Sequence, residues 1–234
     1  MRRLICEYRR LCFRLTRTTE FCRQYAGQGW DVIACCRNPA LASELNGLGQ
    51  HYASIQIEAL DVAHFDQIDM LSKKLSDTSI DVLINNAGVY GDSNRGFGQL
   101  DYQAWLNTLI VNTQAPIKMA EAFLLHITRG SKKLIANISS LMGSVSDNDS
   151  GGSILYRSSK AALNAAMKSL SIDLKAQGVG MLIFHPGWVK TDMGGANALI
   201  DAKTSVGGMC ALIEGFTLAQ SGAFVKYDGK PMPW

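Results

Sequence analysis

Asp81-Val82-Leu83-Ile84 leads directly into Asn85-Asn86-Ala87-Gly88. An apolar run this short, without polar alternation, reads as a strand buried on both faces, and the amide-bearing and small residues after it stop it. The same pattern recurs along the chain. Asp31-Val32-Ile33-Ala34-Cys35-Cys36 lies between Gly29 and Asn38-Pro39. Tyr52 to Leu60 ends at Asp61, Lys133 to Ile138 ends at Ser139-Ser140, and Met181 to Phe184 is closed by His185-Pro186-Gly187. Gly222 to Val225 makes a sixth run.

Helical stretches separate these runs. Phe65 to Leu75 carries apolar residues at helical spacing. Tyr102 to Ile127 is longer, and Pro116 is expected to bend or interrupt it. Tyr156 to Lys175 has a broad apolar face containing Leu163, Met167, Leu170 and Leu174. Strands apolar on both faces, alternating with helices, predict an α/β fold: a doubly wound parallel sheet of the Rossmann-like kind, in three layers, α/β/α. Neither an internal repeat nor a linker is visible, so residues 1–234 read as one domain.

Composition narrows the function. Hydrophobic residues make up 47% and charged residues 18% of 234, which excludes a disordered chain. No apolar run approaches the length of a transmembrane helix. The net charge is +3, yet residues 1–23 hold seven arginines against Glu7 and Glu20, a local +5, leaving 3 − 5 = −2 for the remainder. That remainder offers no basic face for nucleic acid. Six scattered cysteines, two of them adjacent inside an apolar run, read as buried thiols of a reducing compartment, and a cytoplasmic location is expected. Cys6, Cys12 and Cys22 lack zinc-site spacing, so no metal is expected.

In a doubly wound sheet, ligands bind beyond the carboxyl ends of the strands. The residues there are Arg37, Asp61, Asn85 to Gly88, Ser139-Ser140 and Pro186-Gly187. Tyr156 and Lys160 share one helix face at i and i+4. Each feature alone has an ordinary reading: a surface Tyr–Lys pair, a strand-ending turn, a polar helix residue. Taken in order, they resemble the short-chain dehydrogenase/reductase family over about residues 20–234. The ending Tyr227-Asp228-Gly229-Lys230-Pro231-Met232-Pro233-Trp234 looks like the C-factor and carbonyl-reductase-like branch.

The resemblance implies hydride transfer between a nicotinamide cofactor and a small carbonyl or alcohol substrate. It makes Tyr156 the proton donor and acceptor, with Lys160 lowering its pKa and bonding the nicotinamide ribose. Ser140 steadies the substrate oxygen, and Asn112 holds a water of the proton relay. Ser140 is chosen over Ser139 because the family serine is usually the second of such a pair. The long Ser140–Tyr156 spacing is absorbed by a loop at 147–152. Cofactor contacts fall on Arg37, Asp61, Val62, Asn85, Ala87, Gly88, Tyr156, Lys160, Pro186, Gly187, Val189 and Thr191. Arg37 follows the second strand, where an acidic residue would accept from the 2′-hydroxyl of NAD, so it favours the 2′-phosphate of NADP(H). Family members pair through helices equivalent to Tyr102–Ile127 and Tyr156–Lys175, so a homodimer or homotetramer is expected. The loops Gly91 to Leu100 and Met193 to Lys203 are read as substrate loops.

One part departs from the family. Its Thr-Gly-xxx-Gly-x-Gly phosphate loop would fall near Cys12, Thr16 and Thr18, yet all 22 glycines lie at Gly27 or later. The first strand also reads as missing, because Arg2 to Arg10 contains no long apolar run, so residues 1–19 are expected to be an aberrant replacement of strand and loop. The first helix resumes in register at Glu20 to Ala26. A shift of reading frame accounts for this, since codons exist for Phe13 to Thr19 that read, one base over, as Ser-Gly-Ser-Leu-Gly-Leu. Two further explanations are an inactive relative and an Arg-rich targeting peptide, although such peptides are Ser-rich and this stretch has no serine. The alternative function is therefore a binding or signalling protein of the same fold, without a cofactor site.

Overall fold

The computed structural model describes residues 2–8, 17–91, 96–191 and 193–234. Its sheet has seven strands: β1 (Arg3–Tyr8), β2 (Asp31–Cys36), β3 (Ile55–Ala59), β4 (Val82–Asn85), β5 (Leu134–Ile138), β6 (Gly180–His185) and β7 (Ala223–Lys226). Their order is β3-β2-β1-β4-β5-β6-β7, with every neighbouring pair parallel. The chain winds one way from β1 to β3 and the other way from β4 to β7. The crevice where direction reverses therefore lies between β1 and β4.

Among the described residues, seven α-helices cover the faces: α1 (Arg17–Gly27), α2 (Ser43–His51), α3 (Phe65–Lys74), α4 (Tyr102–Leu109), α5 (Ala115–Arg129), α6 (Ile154–Asp173) and α7 (Ala202–Glu214). Alternate strand residues face two cores. Leu4, Ala34, Ile84 and Phe184 pack beneath α1 and α7, while Ile5, Ile33, Leu83 and Ile183 pack against Phe123 and Met167 on the other side.

The expectation that the first strand is missing is corrected. Arg3–Tyr8 is the central strand, and Leu4, Ile5 and Cys6 are completely buried. Three apolar residues suffice because β4 pairs only with Leu4, Ile5 and Cys6. The charged Arg3 stays at the rim, 3.5 Å from Asp31. Cys12 and Thr16, counted as glycine positions of the phosphate loop, lie outside the described residues, as does part of the expected Gly91–Leu100 loop. Thr18, the third counted position, lies in the first turn of α1 and is buried, and its hydroxyl accepts from Asn86 Nδ2 at 2.7 Å.

The long helical stretch is interrupted near Pro116, as expected: a π-turn, Ile110–Gln114, separates α4 from α5, and Pro116 lies in the first turn of α5. The expected loop Met193–Lys203 runs into α7, whose N-cap Asp201 accepts from Thr204 N–H at 2.7 Å.

Candidate active site

The carboxyl ends of β4, β5 and β6, with the first turn of α1, enclose a cavity of about 220 Å³. Ser140, Tyr156, Gly187, Thr191, Tyr90 and Arg17 contribute to its wall. Ser139 and Ser140 end β5 and separate there. Ser139 is buried, and its hydroxyl donates to Asn164 Oδ1 at 2.5 Å. Ser140 lines the cavity beside Tyr156, and its hydroxyl accepts from Met142 N–H at 3.1 Å.

Lys160 lies one turn beyond Tyr156 on α6. Its ammonium donates to the carbonyl of Ile138 at 2.8 Å and sits 5.9 Å from the centre of the Tyr156 ring. Gly143 lets this arrangement close, since a Cβ there would come to 2.8 Å from the backbone of Lys160. Burial pushes the Tyr156 phenol above its ordinary pKa, with Arg17 and the Ser140 hydroxyl pulling it down and Tyr90 adding to the rise. Thus burial outweighs the cations at this phenol, and the strongest opposing influence is Arg17 rather than the Lys160 that the resemblance singled out. A phenol held in this way is protonated at neutral pH.

Asn112 sits in the π-turn and is fully buried. Its amide donates to Val89 O at 2.8 Å and Ser159 Oγ at 2.9 Å, and its oxygen accepts from Val89 N–H at 2.8 Å. That side chain is a clamp holding the segment after β4 against α6. Asn85 likewise points inward, donating to Asn137 Oδ1 at 2.7 Å across the strand pair. Its neighbour Asn86, not singled out in the sequence, is the one that reaches α1.

Ala87 is buried and Gly88 half-buried after β4. A Cβ on Gly88 would come to 3.7 Å from Lys160 Nζ, so the glycine keeps the space beside that ammonium open. Gly187 has φ +80°, and a Cβ there would meet Ile200 Cδ1 at 2.7 Å. Pro186 and Val189 are buried, and Thr191 accepts from Gly194 N–H at 3.2 Å. At the other end of the crevice, Arg37 is exposed after β2, and Asp61 and the buried Val62 follow β3.

These residues fit a dinucleotide at its two ends. Small residues, two hydroxyls and an ammonium surround the cavity, while a guanidinium, a carboxylate and an apolar floor lie beyond β2 and β3. Tyr90, Met142 and Arg17 belong to the site as well, and nothing in the sequence pattern marks them.

The family model of the short chain dehydrogenase matches residues 18–199. The chain belongs to the short-chain dehydrogenase family. Among relatives, it is 43% identical over 155 residues to the C-signal of Myxococcus xanthus, covering 66% of this chain and 93% of that protein. Among solved structures, it resembles the carbonyl reductase Sniffer of D. melanogaster with a TM-score of 0.88 and 36% identity, covering 100% of this chain and 99% of that one. The NADPH-bound carbonyl reductase from chicken fatty liver gives 0.90 and 29%, over 100% and 99%. These likenesses place this short-chain dehydrogenase with the C-factor and carbonyl reductase type.

Proposed function

We propose that this protein is an NADP(H)-dependent oxidoreductase that reduces a small carbonyl compound, with Tyr156 as proton donor. The observation that carries this reading is the pair of hydroxyl-bearing residues, Ser140 and Tyr156, on the wall of a cavity at the carboxyl ends of the strands. Two hydroxyls so placed can hold one carbonyl oxygen. Ser140 positions it, and Tyr156, protonated at neutral pH, supplies the proton as negative charge develops there. Lys160, behind the phenol, stabilises the phenolate left afterwards. When bound, the cofactor supplies the hydride. Ala87, Gly88, Pro186, Gly187, Val189 and Thr191 would hold its nicotinamide half, and Asp61 and Val62 its adenine. NADP(H) is favoured over NAD(H) by Arg37, and the NADPH-bound chicken reductase supports this choice. The buried thiols of Cys22, Cys36 and Cys210 suit a reducing, cytoplasmic setting. Exposed Tyr102, Leu106, Leu125 and Ile172 on α4, α5 and α6 suit pairing of two or four copies.

The test follows NADPH oxidation with a panel of small aldehydes and ketones. Turnover is expected, and Tyr156→Phe should lower it roughly 10²–10⁴-fold. Near-full activity in the Phe variant overturns the assignment. A second reading, a binding or signalling protein without cofactor, is favoured by the lack of any glycine before Gly27 and by Arg17 in the cavity. It would show as a folded protein that binds neither NADPH nor NADH.

A further inference from the structure

Arg17 is the first residue of α1, and it turns into the cavity that Ser140 and Tyr156 line. It is only partly exposed. Its Nε donates to Asn86 Oδ1 at 3.4 Å, a long bond to a neutral acceptor. Among the described residues, no carboxylate lies within ion-pair distance of it. Burial pulls its pKa down, with Tyr156 and Cys6 acting the other way. A guanidinium does not give up its proton in a protein, so burial leaves a charge that lacks a counter-charge. The amino end of α1 adds positive potential on the same side.

We propose that Arg17 makes the catalytic cavity an oxyanion site, in which its guanidinium forks onto a carboxylate or phosphate held beside the Ser140 and Tyr156 hydroxyls. The planar fork of N–H donors matches either oxyanion through paired bonds. A cavity of about 220 Å³ has room for an oxo acid of a few carbons but not for a whole dinucleotide. On the substrate side, the ligand is a carbonyl compound with a carboxylate next to the carbonyl. That assignment rests on the reductase reading, whereas oxyanion binding itself does not. The same fork would also accept a phosphate of the cofactor, and the arms of the test separate the two sources.

The test is calorimetric titration of the whole chain, without cofactor and at fixed ionic strength. Pyruvate, its neutral amide pyruvamide and inorganic pyrophosphate are added separately. Saturable binding of pyruvate but not pyruvamide is expected, weakened on the order of tenfold or more in Arg17→Gln and less in Arg17→Lys. Binding of pyrophosphate alone, with the same dependence on Arg17, also supports the oxyanion site and assigns it to cofactor phosphate. Equal binding of pyruvate and pyruvamide overturns the proposal, as does a folded wild-type protein that binds neither anion. If Arg17→Gln fails to fold, the pyruvate–pyruvamide contrast in the wild type still decides. Turnover of neutral ketones with no anion binding sinks this proposal and leaves the reductase reading standing. Anion binding with no turnover of any carbonyl does the reverse.

Discussion

Tyr90 lies nearly flat against Tyr156, with ring centres 4.5 Å apart and planes 19° apart. Its hydroxyl is 3.0 Å from Ser153 Oγ and donates to Met142 Sδ at 3.6 Å. Tyr90, in the segment after β4, is thus pinned to the loop before α6 and to the turn after Ser140, and it forms one wall against which the phenol rests. A stacked aromatic pair contributes about 0.5–1.5 kcal/mol beyond the area it buries. Tyr90→Ala should therefore lower kcat by roughly twofold to tenfold while leaving the fold in place. Tyr90→Phe, which keeps the stack and loses only the hydroxyl bonds, should lie close to wild type. The comparison is made by steady-state kinetics with one carbonyl substrate, and equal losses in the two variants would show that the stack is not what matters.

His185 controls the same wall from the side of β6. Its Nδ1 accepts the N–H of Leu141, the residue after Ser140, at 3.1 Å, so the imidazole serves this loop in its neutral form. Burial, then Lys226 and Arg17, push its pKa down to about 4, while Asp228 acts the other way. The unfolded chain titrates near 6.5. Between about pH 6.5 and pH 4 the unfolded state therefore binds more protons than the folded state, and stability rises with pH across that window. It is fully present above about pH 6.5 and is lost as pH falls through about 4, by roughly 2–3 kcal/mol from this one group. Urea melts at pH 7.5, 6, 5 and 4 measure the slope. In His185→Asn, whose amide oxygen can take the Leu141 N–H, this histidine's share of the slope should vanish.

Much of the layout was legible because most strands here are apolar runs closed by distinctive residues. Asp31 to Cys36 and Lys133 to Ile138 both match strands almost end to end. The first strand was hidden because the apolar run Leu4-Ile5-Cys6 is only three residues long, flanked in sequence by arginine and glutamate, and its place in the sheet is imposed by β2 and β4 rather than by its own length. Short α2, whose buried apolar residues are only Leu45 and Leu48, gave no clear period. At the site, Tyr156, Lys160 and Ser140 follow from spacing and resemblance. Arg17, Tyr90 and the choice between Asn85 and Asn86 do not, because each depends on how a turn aims a side chain across the crevice.

Asp81 ties that unexpected strand into the sheet. Its carboxylate accepts from the N–H of Arg3 at 2.8 Å and from the N–H and hydroxyl of Ser131, both at 2.7 Å. Burial alone would raise its pKa, but these hydrogen bonds outweigh it and hold the carboxyl below the ordinary value. Asp81→Ala would leave the N–H donors of Arg3 and Ser131 without their acceptor at the start of β1 and after α5, a loss of about 1–2 kcal/mol. Asp81→Asn keeps an acceptor and should cost less. Chemical denaturation monitored by circular dichroism gives both values. Little change in the Ala variant would mean that β1 is held by packing alone.

The last prediction concerns the glycine-free segment. Dinucleotide affinity in this fold comes largely from backbone N–H groups that approach the pyrophosphate closely, which glycine permits and β-branched residues hinder. Residues 1–26 contain no glycine, and Arg14 and Arg17 supply charge without that close approach. Because β1 is present and α1 is in register with it, the deficit is confined to the connection between them, and the chain should fold. NADPH is then expected to bind more weakly than micromolar, through Arg37 and the nicotinamide-side residues alone. Replacing residues 11–18 with a segment of the form Thr-Gly-xxx-Gly-x-Gly, which puts glycine at all three counted positions together, should tighten binding at least tenfold. Thr18→Gly in the parent chain should not, because it removes the acceptor of Asn86 Nδ2 and loosens the first turn of α1. Calorimetry on the three proteins tests this order. Micromolar NADPH affinity in the unaltered chain would show that residues 11–18 build a phosphate site without glycine.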